Sequence, residues 1–125
     1  MQYALLMYYP EPAEGEINDA DMQAAMVAMN VYASAMEKAG VLVAVDVLQP
    51  STASSTVSAK DGAVTILDGP FADAKDMIGG IFTITVPDLD AALAWAEKCP
   101  AAQWGSIEVR PSALAYRDGG WQPAA

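Results

Sequence analysis

The sequence contains no histidine, one cysteine and only six basic residues among its 125. Without histidine, the chain cannot build a Ser-His-Asp triad, a Cys-His pair or a metal site based on imidazole. The six Lys and Arg residues are scattered and oppose 16 acidic residues, which gives a net charge of −10. Binding to duplex DNA requires clustered basic side chains, so we expect no nucleic-acid partner.

Long apolar runs are missing as well. No stretch approaches the roughly 18 apolar residues that a membrane span requires, and no positively charged segment precedes the apolar residues 4–7. We therefore expect neither a membrane span nor a secretory signal. The single Cys99 cannot form an internal disulfide, which indicates a reducing, cytoplasmic setting. Cys99 lies in a helical pattern before Pro100, and we interpret it as a small buried side chain rather than a reactive thiol.

The length predicts one domain over residues 1–125, because no linker or internal repeat divides the chain. Hydrophobic residues make up 54% of the sequence and charged residues only 18%, below the usual quarter. This balance predicts that a partner covers part of the apolar surface, most simply a second copy of the chain. The tail at 112–125 contains Tyr116 and Trp121 and is expected to dock on the domain or on a partner.

Apolar periodicity and turn residues predict six strands and two helices. Asn18 and Asp88 are expected to cap the starts of the helices, and Gly40 is expected to end the first one. The dipeptide Asp61-Gly62 predicts a two-residue hairpin turn. The first helix should bury one apolar face in a core or a dimer, formed by Met22, Met26, Met29, Ala33 and Met36. The strands are expected at 2–9, 41–48, 56–60, 63–67, 81–86 and 106–110.

This order of elements is βαββαβ with a hairpin inserted in the middle, which predicts a ferredoxin-like α+β fold. Two helices would cover one face of an antiparallel sheet and leave the other face open. The apolar run 41–48 predicts a central strand buried on both faces. Asp46 interrupts this run. By alternation it would share a face with Leu42, Ala44 and Leu48, where a carboxylate needs a donor, a bulge or water.

Residues 68–80 form the least generic stretch of the chain, DGPFADAKDMIGG. Gly69 and Pro70 predict a tight turn after a strand, and Asp68 stands where its carboxylate can accept backbone N–H groups of that turn. Gly79 and Gly80 allow close backbone approach or a bulge as the next strand begins.

Two interpretations of this stretch are open. In the structural one, Asp68 caps the turn, Phe71 fills the core, and Asp73 and Asp76 face water. In the functional one, the stretch forms the rim of a cleft for a small polar ligand or a cation. The candidate ligand-binding residues are then Asp68, Gly69, Pro70, Phe71, Asp73, Lys75, Asp76, Gly79 and Gly80. The spacing of the carboxylates matches no dedicated calcium loop, and we predict neither a metal nor a cofactor.

The stretch DGPFADAKDMIGG resembles the signature of the DGPF proteins in the YCII-related family, which is close to DGPFAETKE followed by a Gly-Gly-aromatic strand. The segment MQYALLMYY resembles the first strand of that family. Residues 39–50 resemble its second strand, in which an acid at the place of Asp46 is familiar, and residues 86–111 resemble its second helix and last strand. Asp73 and Asp76 stand where glutamate is usual, and Ala74 stands where threonine is usual.

The resemblance implies a ferredoxin-like α+β fold, a homodimer of the dimeric α+β-barrel type and a bacterial, cytoplasmic setting. Genes of such proteins often lie beside those of alternative sigma factors, which suggests a sigma-factor-related protein as a partner. Some YCII-related proteins are proposed to use a His-Asp pair, and a dehydrochlorinase is known among them. Because this chain has no histidine, the imidazole part of that chemistry does not carry over.

The sequence is therefore compatible with three functions. The first, which we expect, is a homodimeric small-ligand-binding or accessory protein. The second is an enzyme in which Asp46 or Asp68, desolvated in a cleft, moves a proton while Lys75 or Arg110 holds an anionic substrate. The third is a regulatory partner of a sigma factor, since an acidic surface suits a basic protein.

Overall fold

The computed structural model describes residues 1–13 and 15–124, so Ala125 at the end of the predicted tail lies outside the described residues. The chain is a mixed α+β protein, as the sequence predicts. Short 3₁₀ turns occur at Ser51–Ala53, Lys60–Gly62 and Pro100–Gln103. The main elements are β1 (Gln2–Tyr9), α1 (Asp19–Lys38), β2 (Leu42–Val47), β3 (Ser55–Ser58), β4 (Thr65–Asp68), β5 (Met77–Thr85), α2 (Leu89–Glu97), β6 (Ser106–Pro111), β7 (Leu114–Arg117) and β8 (Gly120–Pro123).

Four of the strands form one antiparallel sheet in the order β2-β5-β1-β6. The central pair is β1 and β5, in which Tyr3 lies opposite Ile84 and Leu5 opposite Phe82. The connections through α1 and α2 each skip one strand of the sheet. The strands β3–β4 and β7–β8 form two separate two-stranded sheets.

Both helices pack on the same face of the four-stranded sheet, because one core cluster contains residues of α1, α2 and both central strands. Tyr32 of α1 links these layers. Its ring meets that of Phe82 edge-on at a centroid distance of 5.2 Å, and its hydroxyl donates to the Trp95 carbonyl at 2.7 Å. Burial raises the pKa of Tyr32, so the hydroxyl stays protonated as that donor. The strand residues of the core are Tyr3, Leu5, Met7, Phe82 and Ile84.

The opposite face of the sheet, here called the open face, carries no helix of the core cluster. Its centre is formed by half-buried side chains of the central strands, and its charged residues lie on the two edge strands. By strand pairing and alternation, the open face consists of Ala4, Leu6 and Tyr8 of β1, Ile81 and Thr83 of β5, Ala44 and Asp46 of β2, and Glu108 and Arg110 of β6.

The predicted helix signals are confirmed. The Asn18 side chain accepts from the Asp21 N–H at 2.8 Å, and Asp88 accepts from the Ala91 N–H at 2.9 Å. Gly40 follows α1 with a φ of 73°. The predicted methionine face is only partly buried, because Met22 and Met26, in the N-terminal half of α1, are exposed. No helix in the described part of the chain is long and apolar enough to cross a membrane.

The prediction that residues 41–48 form a central, doubly buried strand is wrong. β2 lies at the edge of the four-stranded sheet, and Val43 and Val47 are exposed. An apolar run shows that both faces can be covered, but it does not show which strand takes the edge. A register shift between Leu42 and Ala44 moves Leu42 to the helix-covered face. Asp46 therefore shares the open face with Ala44 but not with Leu42, and it is exposed there.

The hairpins differ in detail from their predictions. Asp61 and Gly62 both take positive φ, as predicted, at 55° and 74°. The two-residue turn is nevertheless wrong, because pairing ends at Ser58 and Thr65 and a 3₁₀ turn occupies the wider loop. The tail folds into the hairpin β7–β8, in which Tyr116 and Trp121 stack edge-on at 5.4 Å. Its end returns to the domain, since Gln2 N–H donates to the Ala124 carbonyl at 2.8 Å.

Strand β5 begins at Met77, four residues before the predicted 81–86, so both glycines lie inside it. The predicted bulge and close approach are confirmed. Pairing with β1 shifts at this point, from Met7 opposite Gly80 to Tyr8 opposite Ile78. A Cβ atom on Gly79 would lie 2.1 Å from Tyr9 Cζ, and one on Gly80 would lie 2.1 Å from Met7 Cε and 2.9 Å from the Asp46 carbonyl oxygen.

We predict that Gly80→Ala lowers the free energy of unfolding by about 1–3 kcal/mol, because a backbone carbonyl cannot move aside as a flexible side chain can. Urea denaturation measures this change. Gly120→Ala is the matched control, since nothing lies within 4 Å of its added Cβ. Its effect should stay within about 0.5 kcal/mol. Equal effects of the two substitutions would contradict the packing argument.

Candidate functional site

A cleft of about 400 Å³ lies where β2 ends and β5 begins. None of its lining side chains is charged, although the whole chain carries a net charge of −10. The cleft can therefore pack apolar groups and exchange hydrogen bonds with serine and glutamine side chains, but it provides no lining group for proton transfer near neutral pH. The lining residues are Leu48, Gln49, Pro50, Ser51, Ala53, Ser54, Pro70, Met77 and Ile78.

Two backbone hydrogen bonds and one from a side chain hold the walls of this cleft together. Leu48 N–H donates to the Gly79 carbonyl at 2.8 Å, which joins the end of β2 to the start of β5. Gly69 N–H donates to the Ser54 carbonyl at 2.7 Å, and the Thr56 hydroxyl donates to the Gly69 carbonyl at 2.8 Å. The turn at Gly69, with a φ of 119°, is therefore attached to the opposite wall and carries Pro70 into the cleft.

Glu11 anchors the 3₁₀ turn that forms one wall. Its carboxylate accepts two hydrogen bonds from Ser51, one from the backbone N–H at 2.6 Å and one from the hydroxyl. Charge-assisted hydrogen bonds of this kind are the strong ones. The loop after β1 is thereby tied to the cleft, and the Ser51 hydroxyl is committed as a donor to Glu11.

Tyr9 supports the cleft from the side of β1. Its hydroxyl donates to the Gly79 carbonyl at 3.2 Å, and its ring occupies the space that a side chain at Gly79 would need. Burial, together with the negative charge of Glu11, raises the pKa of Tyr9. The phenol therefore remains a neutral hydrogen-bond donor at physiological pH.

The candidate residues of the stretch 68–80 are separated by the fold. Pro70 lines the cleft, Gly69 makes the turn before it, and Asp68 is the exposed last residue of β4. Gly79 and Gly80 are buried inside β5 against Tyr9 and Met7. The remaining candidates of this stretch are all exposed, namely Phe71, Asp73, Lys75 and Asp76.

The positions of Phe71 and Asp68 bear directly on the structural and functional interpretations of this stretch. Phe71 is 90% exposed, so the view that it fills the core of its own chain is wrong. Asp46 and Asp68, the candidate acid–base residues, are both exposed and lie in different sheets. Within residues 1–13 and 15–124, no three Asp, Glu or Cys side chains are grouped to hold a metal ion.

Cys99 is buried, as predicted, with a relative exposure of 2%. Its thiol lies 3.9 Å from Met7 Sδ, and burial raises its pKa. A raised pKa keeps the thiolate scarce at neutral pH, so Cys99 acts as a small core side chain.

Eight of the nine residues that line the cleft were not among the predicted site residues. The stretch 51–55 reads as a small polar loop, and Glu11 reads as one more solvated acid of an acidic segment. No local signal shows that Glu11 accepts from Ser51, because the two residues are 40 positions apart in the chain. The contribution of Pro70 was found, because a turn residue within a distinctive stretch is visible in the sequence.

Residues 1–112 match the YCII-related domain. The chain belongs to the YCII-related family. An uncharacterised protein of Rhizobium meliloti (strain 1021) is 34% identical over 121 residues, which cover 95% of this chain and 97% of that protein. The YCII-related domain therefore includes the whole four-stranded sheet and the cleft, whereas the hairpin β7–β8 lies beyond the matched residues.

We predict that Glu11→Ala lowers the free energy of unfolding by about 1–2 kcal/mol, because a wall of the YCII-related cleft loses two hydrogen bonds to a charged acceptor. Ser51→Ala, which removes only the hydroxyl bond, should cost less. Glu37→Ala removes the same charge from an exposed position on α1 and should change stability by no more than about 0.5 kcal/mol. If urea denaturation shows the same loss of stability for Glu37→Ala as for Glu11→Ala, the anchoring role of Glu11 is wrong.

Proposed function

We propose that this YCII-related protein is a homodimer that binds a small polar ligand in the cleft between β2 and β5. The observation that carries the proposal is the uncharged cleft of about 400 Å³ with Pro70 of the stretch 68–80 in its wall. Pockets for small molecules commonly measure roughly 300–1,000 Å³ and combine apolar walls with a few polar groups. Three lining side chains are polar, namely Gln49, Ser51 and Ser54, and the other six are apolar, namely Leu48, Pro50, Ala53, Pro70, Met77 and Ile78.

The chemistry of the lining favours a neutral ligand and simple binding. A ligand with a negative charge would meet no positive lining residue and would approach a chain of net charge −10. No lining side chain titrates near neutral pH, so acid–base catalysis inside the cleft is less well supported than binding. The expected ligand is thus a small uncharged molecule with an apolar body and hydrogen-bonding groups.

The dimer is proposed from the open face. Leu6, Tyr8 and Ile81 are only half-buried there, without a covering helix, and an uncovered apolar sheet face is unusual in a monomer. A second open face would cover them, as in a dimeric α+β barrel. The strand order β2-β5-β1-β6 with two helical crossovers supports a ferredoxin-like fold, which is the subunit of such barrels.

We further assign the chain to the DGPF subgroup and to a bacterial, cytoplasmic setting. The letters of residues 68–71, Asp-Gly-Pro-Phe, support the subgroup. The relative from Rhizobium meliloti supports a bacterial source. A single buried cysteine suits a reducing compartment.

We expect the native chain to sediment as a dimer at micromolar concentration. Leu6→Lys should raise its dissociation constant at least about 100-fold, because it places an unpaired charge at the centre of the open face. Val27→Lys makes the same charge change on the exposed side of α1 and should leave the dimer intact. A native chain that sediments as a monomer contradicts the proposed dimer.

We expect at least one neutral metabolite in a thermal-shift screen to raise the melting temperature, because a ligand that binds only the native state stabilises it by mass action. Divalent cations are included in the same screen. Ala53→Trp, which fills the cleft, should abolish the shift, whereas Ala24→Trp on α1 should retain it. Asp68→Asn tests whether the ligand binds at the turn instead of in the cleft. Loss of the thermal shift in this variant would place the site at the turn. If no compound raises the melting temperature, the ligand-binding proposal fails and a protein partner becomes the next hypothesis.

A further inference from the structure

Phe71 is the most exposed large apolar side chain in the described part of the chain, at 90%. It directly follows Pro70, which lines the cleft, and it lies between the hairpin β3–β4 and β5. Full burial of a phenylalanine side chain is worth roughly 1.5–3 kcal/mol, so its exposure forgoes a sizeable stabilisation. A ring in this position is available to a surface outside its own chain.

The neighbouring cleft is not enclosed by its own chain but opens to solvent. A pocket that binds a small molecule usually buries roughly 70–90% of the surface of that molecule, and a further wall over this open cleft would bring it closer to that enclosure. Apolar lining residues such as Leu48, Met77 and Ile78 would pack well against an aromatic ring.

The distribution of charge favours a second copy of the chain as the source of that wall. Two copies of a chain of net charge −10 repel each other except where their surfaces are uncharged. Residues 47–59 and 62–67, which form the end of β2 and most of the hairpin β3–β4, contain no charged residue. The hairpin also exposes Val57, Ile66 and Leu67. On this uncharged segment a second copy of the chain meets little electrostatic repulsion.

Symmetry makes the same surface self-complementary. An exposed ring and an open, uncharged cleft are neighbours on each copy, so a single twofold axis can place each ring in the cleft of the other copy. We propose that Phe71 of one subunit enters the cleft of its partner and forms the wall that the cleft lacks in a single chain. The inference rests on the proposed homodimer and adds that the ligand site is complete only between two subunits.

Cross-linking between two differently tagged, singly substituted chains tests this contact. One chain carries Phe71→Cys and the other carries Ala53→Cys, whose side chain lies in the cleft wall. The native Cys99 is buried with a raised pKa and does not compete. After subunit exchange, a short bis-maleimide should join the two chains. The reaction should run at least about tenfold faster than with Ala24→Cys, a control on exposed α1, because docking raises the effective concentration of the thiols.

The outcomes separate this inference from the proposed dimer. A dimer in which positions 71 and 53 react no faster than the α1 control overturns the inference and leaves the dimer standing. A native chain that sediments as a monomer overturns both. In the doubly substituted chain, cross-linking confined to single chains would mean that Phe71 closes its own cleft, which also overturns the inference. Preferential linking between chains supports it.

Discussion

The packing of two side chains of β1 against two glycines of β5 determines how the central strands meet. Tyr9 and Met7 occupy the space that side chains at Gly79 and Gly80 would fill. The strand pairing shifts at this point, and Gly79 then uses its carbonyl to accept from both Leu48 N–H and the Tyr9 hydroxyl. The end of β2 and the start of β5 are held together in this way, and the cleft lies between them. Gly79 and Gly80 thus shape the cleft because they have no side chains, which leaves room for Tyr9 and Met7.

The distribution of charge is the second constraint. A net charge of −10 keeps copies of the chain apart wherever the acids lie. The long uncharged segments at 47–59 and 77–87 contain eight of the nine residues that line the cleft, and the half-buried centre of the open face is uncharged too. Surfaces that are apolar, uncharged and still exposed in a single chain are the ones that association can bury at the lowest electrostatic cost. The proposed dimer and the proposed contact of Phe71 both follow from this pattern.

Local signals in the sequence predicted local structure well. The side chains of Asn18 and Asp88 cap the helices as their residue types indicate, and β1 has the predicted bounds. Errors arose where tertiary context decides. The apolar residues of β2 do not reveal an edge position, and the register shift beside Val43 reverses the face of Leu42. The stretch 68–80 was found from its turn residues, but all three of its carboxylates are exposed, and six of the nine residues that line the cleft lie outside the stretch. The contact between Glu11 and Ser51 exists only after folding.

Amide hydrogen exchange in the hairpin β3–β4 should report on association with a second copy. An isolated two-stranded hairpin is marginally stable in water, and this one exposes apolar side chains such as Val57, Ile66 and Leu67. If a second copy covers it, amide hydrogen exchange in β3 and β4 will slow as the protein concentration rises through the dimer dissociation constant, with little change in the central strand β1. We predict that concentration dependence. Fast exchange in the hairpin at every concentration would contradict the claim that a second copy completes this surface.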